Sequence, residues 1–257
     1  MTSLKLAIVT LLLQLACQPY QSQHQLERTG TPSSSLPAAP NSSDQEVKVK
    51  PIKLYPVDEA PDDPSFAQFR GRLLEAVSKH DSNFVLGILD PEIINSSDGE
   101  RGENGFRHLW KLDEPESRLW QTLTTLLSMG GSFRENGGNR EFCAPYVTSK
   151  WSTVVSQLPK GADPLDYQVI IDKNVPVRSE PVPTAPVVAT LTYDVVKLSA
   201  NGSVTHSENG NSWLKISTPA GKQGFVPDDY VRSPTDYQAC FKKTGSRWLM
   251  IELAARE

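Results

Sequence analysis

The chain has 257 residues and sets 26 basic side chains against 30 acidic ones, a net charge of −4. It therefore lacks the positive footprint that nucleic acid or an anionic membrane surface requires. At roughly 150 residues per domain the length predicts one large or two small domains, while a hydrophobic share of only 38% and 20 prolines predict that part of it does not fold.

Residues 1–17 carry one basic residue, Lys5, ahead of the apolar run 6–16 (LAIVTLLLQLA). That run is too short for the about 20 residues of a bilayer-spanning helix and has the form of a secretory leader. Leu13-Gln14-Leu15-Ala16-Cys17 resembles the lipobox of bacterial lipoproteins. The resemblance implies an acylated Cys17 as the new N-terminus, with the lipid as the only membrane contact and the chain on the periplasmic side of the cell envelope. Ordinary cleavage after Ala16 implies a secreted chain instead.

Residues 18–63 are rich in Pro, Ser and Gln and show no sustained periodicity. Such a stretch cannot bury enough apolar surface to offset its ordering entropy, so a disordered linker is expected, with a short strand allowed by the alternation at 48–55. Asn41, Asn95 and Asn201 each begin a sequon in form. Three such matches arise readily by chance and carry no glycosylation reading in a bacterium.

A helical domain is expected over 64–165. Asp63-Pro64 supplies a cap and a first-turn proline, and Phe66, Phe69, Leu73 and Val77 follow at helical spacing to about residue 79. A second short helix fits 82–89, stopped by Asp90-Pro91, and a helical turn fits 106–110. From Glu114-Pro115 a longer helix carries the stripe Leu119, Trp120, Leu123, Leu126 and Leu127, ended by Gly130-Gly131. This spacing is that of a buried helix face rather than a ligand pocket. Glu92, Asp98, Glu100, Glu103 and Glu114 offer material for the carboxylate pair of glycan cleavage, although a solvated loop explains their clustering better.

From Tyr167 the pattern changes to short apolar runs, at 167–171, 175–179, 187–191, 194–199, 212–218 and 221–231, separated by Pro, Gly and Asn. By strand count and spacing this is a small all-β barrel over 166–233. Three segments carry a resemblance in order: Val175-Pro176-Val177-Arg178-Ser179 between Asn174 and Pro181, then Trp213-Leu214-Lys215-Ile216, then the closing run 221–231 with Gly221 and Gly224. Over about 65 residues they resemble the bacterial Src-homology-3 (SH3b) domain. The closing run GFVPDDYV is also similar to that of eukaryotic SH3 domains, and the likeness implies a ligand groove at Trp213, Pro227 and Tyr230. The paired tyrosines of the eukaryotic opening strand have no counterpart. The bacterial resemblance implies cell-wall peptide (peptidoglycan) or an envelope protein as partner, and a purely structural spacer remains the alternative. Gly224 is expected to let the closing strand approach its neighbour closely.

Residues 237–243 and 247–253, joined across Thr244-Gly245-Ser246, read as a β-hairpin. A barrel of this type does not need it. The segment 234–257 can therefore pack on 64–165 and complete the first domain, making the architecture α+β: a helical body, an SH3-like barrel and a returning hairpin. Besides Cys17 only Cys143 and Cys240 remain, an even pair in an oxidising setting. Either they form a disulfide or they are two buried thiols.

The four histidines are scattered and no Cys-x-x-Cys occurs, so neither a zinc site nor any other metal or cofactor is read from the sequence. The motifs of Cys-His peptidases, nucleophile elbows and phosphate loops are missing as well. The expectation is a non-enzymatic envelope protein with a binding module. The alternative is a cell-wall hydrolase using carboxylates of the helical domain such as Glu100 or Glu114.

Overall fold

Asp63 begins the first helix as its sequence requires. Its carboxylate accepts hydrogen bonds from the backbone N–H groups of Ser65 and Phe66 at 2.9 and 3.2 Å and from the Ser65 hydroxyl at 2.6 Å. These occupy donors that a helix start leaves open. The helix, α1 (Pro64–Ser78), buries Phe66, Phe69, Leu73, Ala76 and Val77, the face that the spacing predicted. The Ser65 hydroxyl, followed by the backbone donors, holds the Asp63 carboxyl below the usual carboxylate range. Its contribution is thus complete above about pH 3.9, the unfolded value, and is lost as pH falls through the lower folded value. Asp63→Ala is expected to cost about 1 kcal/mol in urea unfolding at neutral pH, and the gap to wild type should close on acidification.

The computed structural model describes residues 50–96, 99–112, 114, 116–199, 205–206 and 212–255. The leader, Cys17 and the linker up to residue 49 lie outside the described residues. After α1 come α2 (Ser82–Gly87), β1 (Leu89–Ile94), α3 (Gly102–Trp110), α4 (Leu119–Ser128), β2 (Ser132–Asn136), β3 (Asn139–Ala144), α5 (Tyr146–Ser149) and α6 (Trp151–Val155). The second half holds β4 (Tyr167–Ile170), β5 (Val175–Arg178), β6 (Val187–Leu191), β7 (Val195–Leu198), β8 (Thr205–His206), β9 (Ser212–Ser217), β10 (Gln223–Pro227), β11 (Val231–Arg232), β12 (Tyr237–Thr244) and β13 (Arg247–Ala255). The fold is α+β.

The C-terminal hairpin β12–β13 lies inside the first sheet, whose order is β1-β13-β12-β3-β2. β12 pairs antiparallel with β3 and places Cys240 directly opposite Cys143. The two cysteines form a disulfide, so the end of the chain is bonded to the body 97 residues earlier. On the opposite pleat Phe142 and Phe241 meet α1 and α4 in one core with Phe66, Leu123, Trp248 and Met250. Three strands of this sheet were not foreseen. Asp90-Pro91, read as a helix stop, lies within β1, and Pro91 is tolerated because β1 is an edge strand with a single, parallel partner. β2 and β3 join through Gly137 and Gly138, both at positive φ, the backbone that a two-residue hairpin turn demands.

The strands expected over 166–233 are present and all antiparallel, but they do not close. They form an eight-stranded sheet in the order β11-β4-β7-β9-β10-β5-β6, with β8 on β9. No ladder joins β11 to β6 among the described residues, so the hydrogen bonding is that of an open, curled sheet rather than the closed barrel expected. Inward residues Ile170, Val175, Val177, Val196, Ile216 and Val226 make its own core.

The linker reading needs correction at its C-terminal end. Residues 50–63 pack against the fold: Leu54 is buried with Tyr146, Val147, Val154, Val169 and Val195, and Lys53 pairs with Asp194 at 2.9 Å. Glu59 takes Lys150 at 2.6 Å and the N–H of Phe133 at 2.8 Å, while Asp58 holds Arg70 at 2.7 Å. This strap is polar and proline-rich in sequence, and its few apolar residues find partners only because both sheets supply them.

Candidate functional site

The groove residues named from the sequence come together. Trp213 on β9 stands opposite Pro227 on β10. Pro227 has no N–H to continue a ladder, and the chain turns there into a single 3-10 turn, Asp228–Tyr230, which brings Tyr230 to the surface. A concavity of about 490 Å³ is lined by Trp213, Pro227 and Tyr230 together with Arg178, Asp228 and Asp229. That volume lies within the roughly 300–1,000 Å³ of ligand clefts.

The three differ in what they offer. Tyr230 is 39% exposed, whereas Trp213 is 2% exposed and so forms a wall of the concavity more than a platform. Its indole N–H has no hydrogen-bond partner among the described residues, and an unmet buried donor of this kind costs about 1–3 kcal/mol. Arg178 spends one guanidinium N–H on the carbonyl of Ala185 at 2.7 Å and so steadies the loop that follows β5. Asp228 and Asp229 make no ion pair among the described residues. Both sit between Pro227 and Tyr230 in the chain, and that adjacency is the signal by which sequence reasoning had access to them. Gly224 does what was expected of it: a Cβ there would come within 2.5 Å of Val177 Cγ1 and 2.7 Å of the Arg178 carbonyl, so only glycine lets β10 lie this close to β5.

The carboxylates considered for hydrolysis stay apart from this groove. Glu114 is exposed and pairs with Lys111 at 3.4 Å, and Glu103 pairs with Arg107 at 2.9 Å. Glu100 lines a cavity of about 290 Å³ beside Asn95, His108 and Leu109, with no second carboxylate lining it among the described residues. Asp98 lies outside the described residues. Asn95 is 2% exposed and donates to the carbonyls of Glu100 and Gly102, so this sequon is a buried loop fastener. Asn41 and Asn201 lie outside the described residues. No helix among the described residues is long and apolar enough to cross a membrane.

Comparison of the chain with protein-family models, with curated proteins and with solved structures gives no match.

Proposed function

We propose that this is an exported, non-enzymatic cell-envelope protein that carries a bacterial SH3-like binding module, held to the membrane by a lipid on Cys17. The module takes a cell-wall peptide or an envelope protein in the groove of Trp213, Pro227 and Tyr230. The observation that supports the reading is that three residues chosen by motif, and separated by up to 17 positions in sequence, line one concavity of ligand size. The exposed ring of Tyr230 supplies the stacking face with which such grooves grip an extended peptide.

The test is retention of the full chain on purified peptidoglycan. Wild type is expected to be retained without releasing soluble fragments, and Tyr230→Ala to lower its affinity about tenfold, as loss of an interface aromatic does. Release of fragments would overturn the non-enzymatic reading in favour of a hydrolase. Retention that Tyr230→Ala leaves untouched would move binding away from this groove. For the anchor, Cys17→Ser is expected to abolish palmitate incorporation, and equal labelling of variant and wild type would remove it.

A further inference from the structure

A further cavity, of about 240 Å³, lies where α4 faces the segment that leads from β11 into β12. It is smaller than the roughly 300–1,000 Å³ of a site for a drug-sized molecule, which limits its occupant to something of amino-acid size. Its floor is apolar, from Leu126 and Met129, and the outer face of α4 adds Gln121 and Thr125. The side chains of those two make no hydrogen bond among the described residues.

Arg232 and Asp236 are the two charged residues that line this cavity. They attract one another, yet they form no ion pair among the described residues. Each is held by the backbone instead. Arg232 Nη1 donates to the carbonyl of Val231 at 2.6 Å and to those of Asp228 and Asp229 at 3.4 Å. Asp236 Oδ2 accepts the N–H of Ser233 at 2.9 Å, and Oδ1 is left without a partner among the described residues. Asp236 is open to solvent but enclosed by protein on several sides, and the loss of surrounding water, with a smaller push from Asp228, raises its carboxyl pKa.

The geometry points to a binding site for a free α-amino acid with an apolar side chain. Its ammonium would sit on Asp236, its carboxylate toward Arg232, and its side chain on Leu126 and Met129. Opposite charges that share a cavity without meeting are complementary to a molecule carrying both, and a neutral or singly charged ligand leaves one of them unmatched. The site stands independently of the groove at Trp213.

Isothermal titration of the full chain with L-leucine tests it, with N-acetyl-L-leucine and L-leucinamide as analogues that lack the ammonium and the carboxylate respectively. L-leucine is expected to give a saturable heat, and each analogue to bind at least about tenfold more weakly, the effect of losing one charged hydrogen bond. Asp236→Asn, whose amide oxygen can still accept the Ser233 N–H, is expected to bind L-leucine and N-acetyl-L-leucine alike. The inference is overturned by the absence of saturable heat with L-leucine, L-valine and L-methionine. Equal binding of the analogues by wild type overturns it too, whatever the stability of the variant.

Discussion

Replacement of both Cys143 and Cys240 by alanine is expected to lower the unfolding free energy by about 4 kcal/mol. The cross-link closes a loop of 97 residues that contains the entire eight-stranded sheet, and constraining a loop of this size in the unfolded chain is worth about 4.7 kcal/mol on the chain-entropy account. The native side of the balance changes less. β3 and β12 keep a ladder of four paired positions, Glu141 to Ala144 against Ala239 to Lys242, and each cysteine loses only one buried sulfur. The fold should therefore persist without the bond. In urea, with a slope of about 2 kcal/mol/M, the midpoint should fall by about 2 M, and the slope itself should rise because the unlinked unfolded chain exposes more surface. A loss below 1 kcal/mol would mean that the unfolded chain is already held compact by other contacts.

That bond was within reach of the sequence only as one of two alternatives, because counting cysteines gives an even pair but not their distance. What placed them opposite each other was the register of β3 on β12, a tertiary fact. Legibility elsewhere followed the same division. α1 was readable because Asp63, Pro64 and the Phe66 to Val77 stripe are all local signals. The strands from Tyr167 to Val231 were readable because alternation of period two is local, while closure of the sheet depends on whether its two end strands meet. β1 was missed because proline at an edge is indistinguishable in sequence from proline after a helix. The strap at 50–63 was missed because Leu54 and Ala60 are too few to predict burial until the pockets that receive them exist. In the groove, Trp213, Pro227 and Tyr230 stood in recognisable motifs. Arg232 and Asp236 carried no motif, and the polar face of α4 opposite them gave no sign that it looks into a cavity rather than open water.

The second large effect concerns Phe66, which is fully buried where α1 crosses the first sheet. Its ring contacts Phe142 at 4.2 Å, Trp248 at 4.9 Å, Phe133 and Phe241 at 5.7 Å and Phe69 at 5.8 Å between centroids. Among the described residues it is the one helix side chain that meets rings from β2, β3, β12 and β13. Phe66→Ala is expected to cost about 4–5 kcal/mol, at the upper end for Phe truncation in a core. Rigid rings on several sides cannot collapse into the space, and the edge-to-face pairs with Phe133 and Trp248 go with it. Phe66→Leu keeps most of the volume and should cost about 1.5 kcal/mol, so the difference between the two variants in urea unfolding measures the cavity. The disulfide gives a further check. Phe142 and Cys143 are adjacent but point to opposite faces of β3, and the bond acts mainly on the unfolded chain whereas Phe66 acts on the folded one. Phe66→Leu should therefore cost the same with and without the Cys143–Cys240 bond, within about 0.5 kcal/mol. A larger coupling would show that removing the bond lets β3 shift and loosens the aromatic cluster through Phe142.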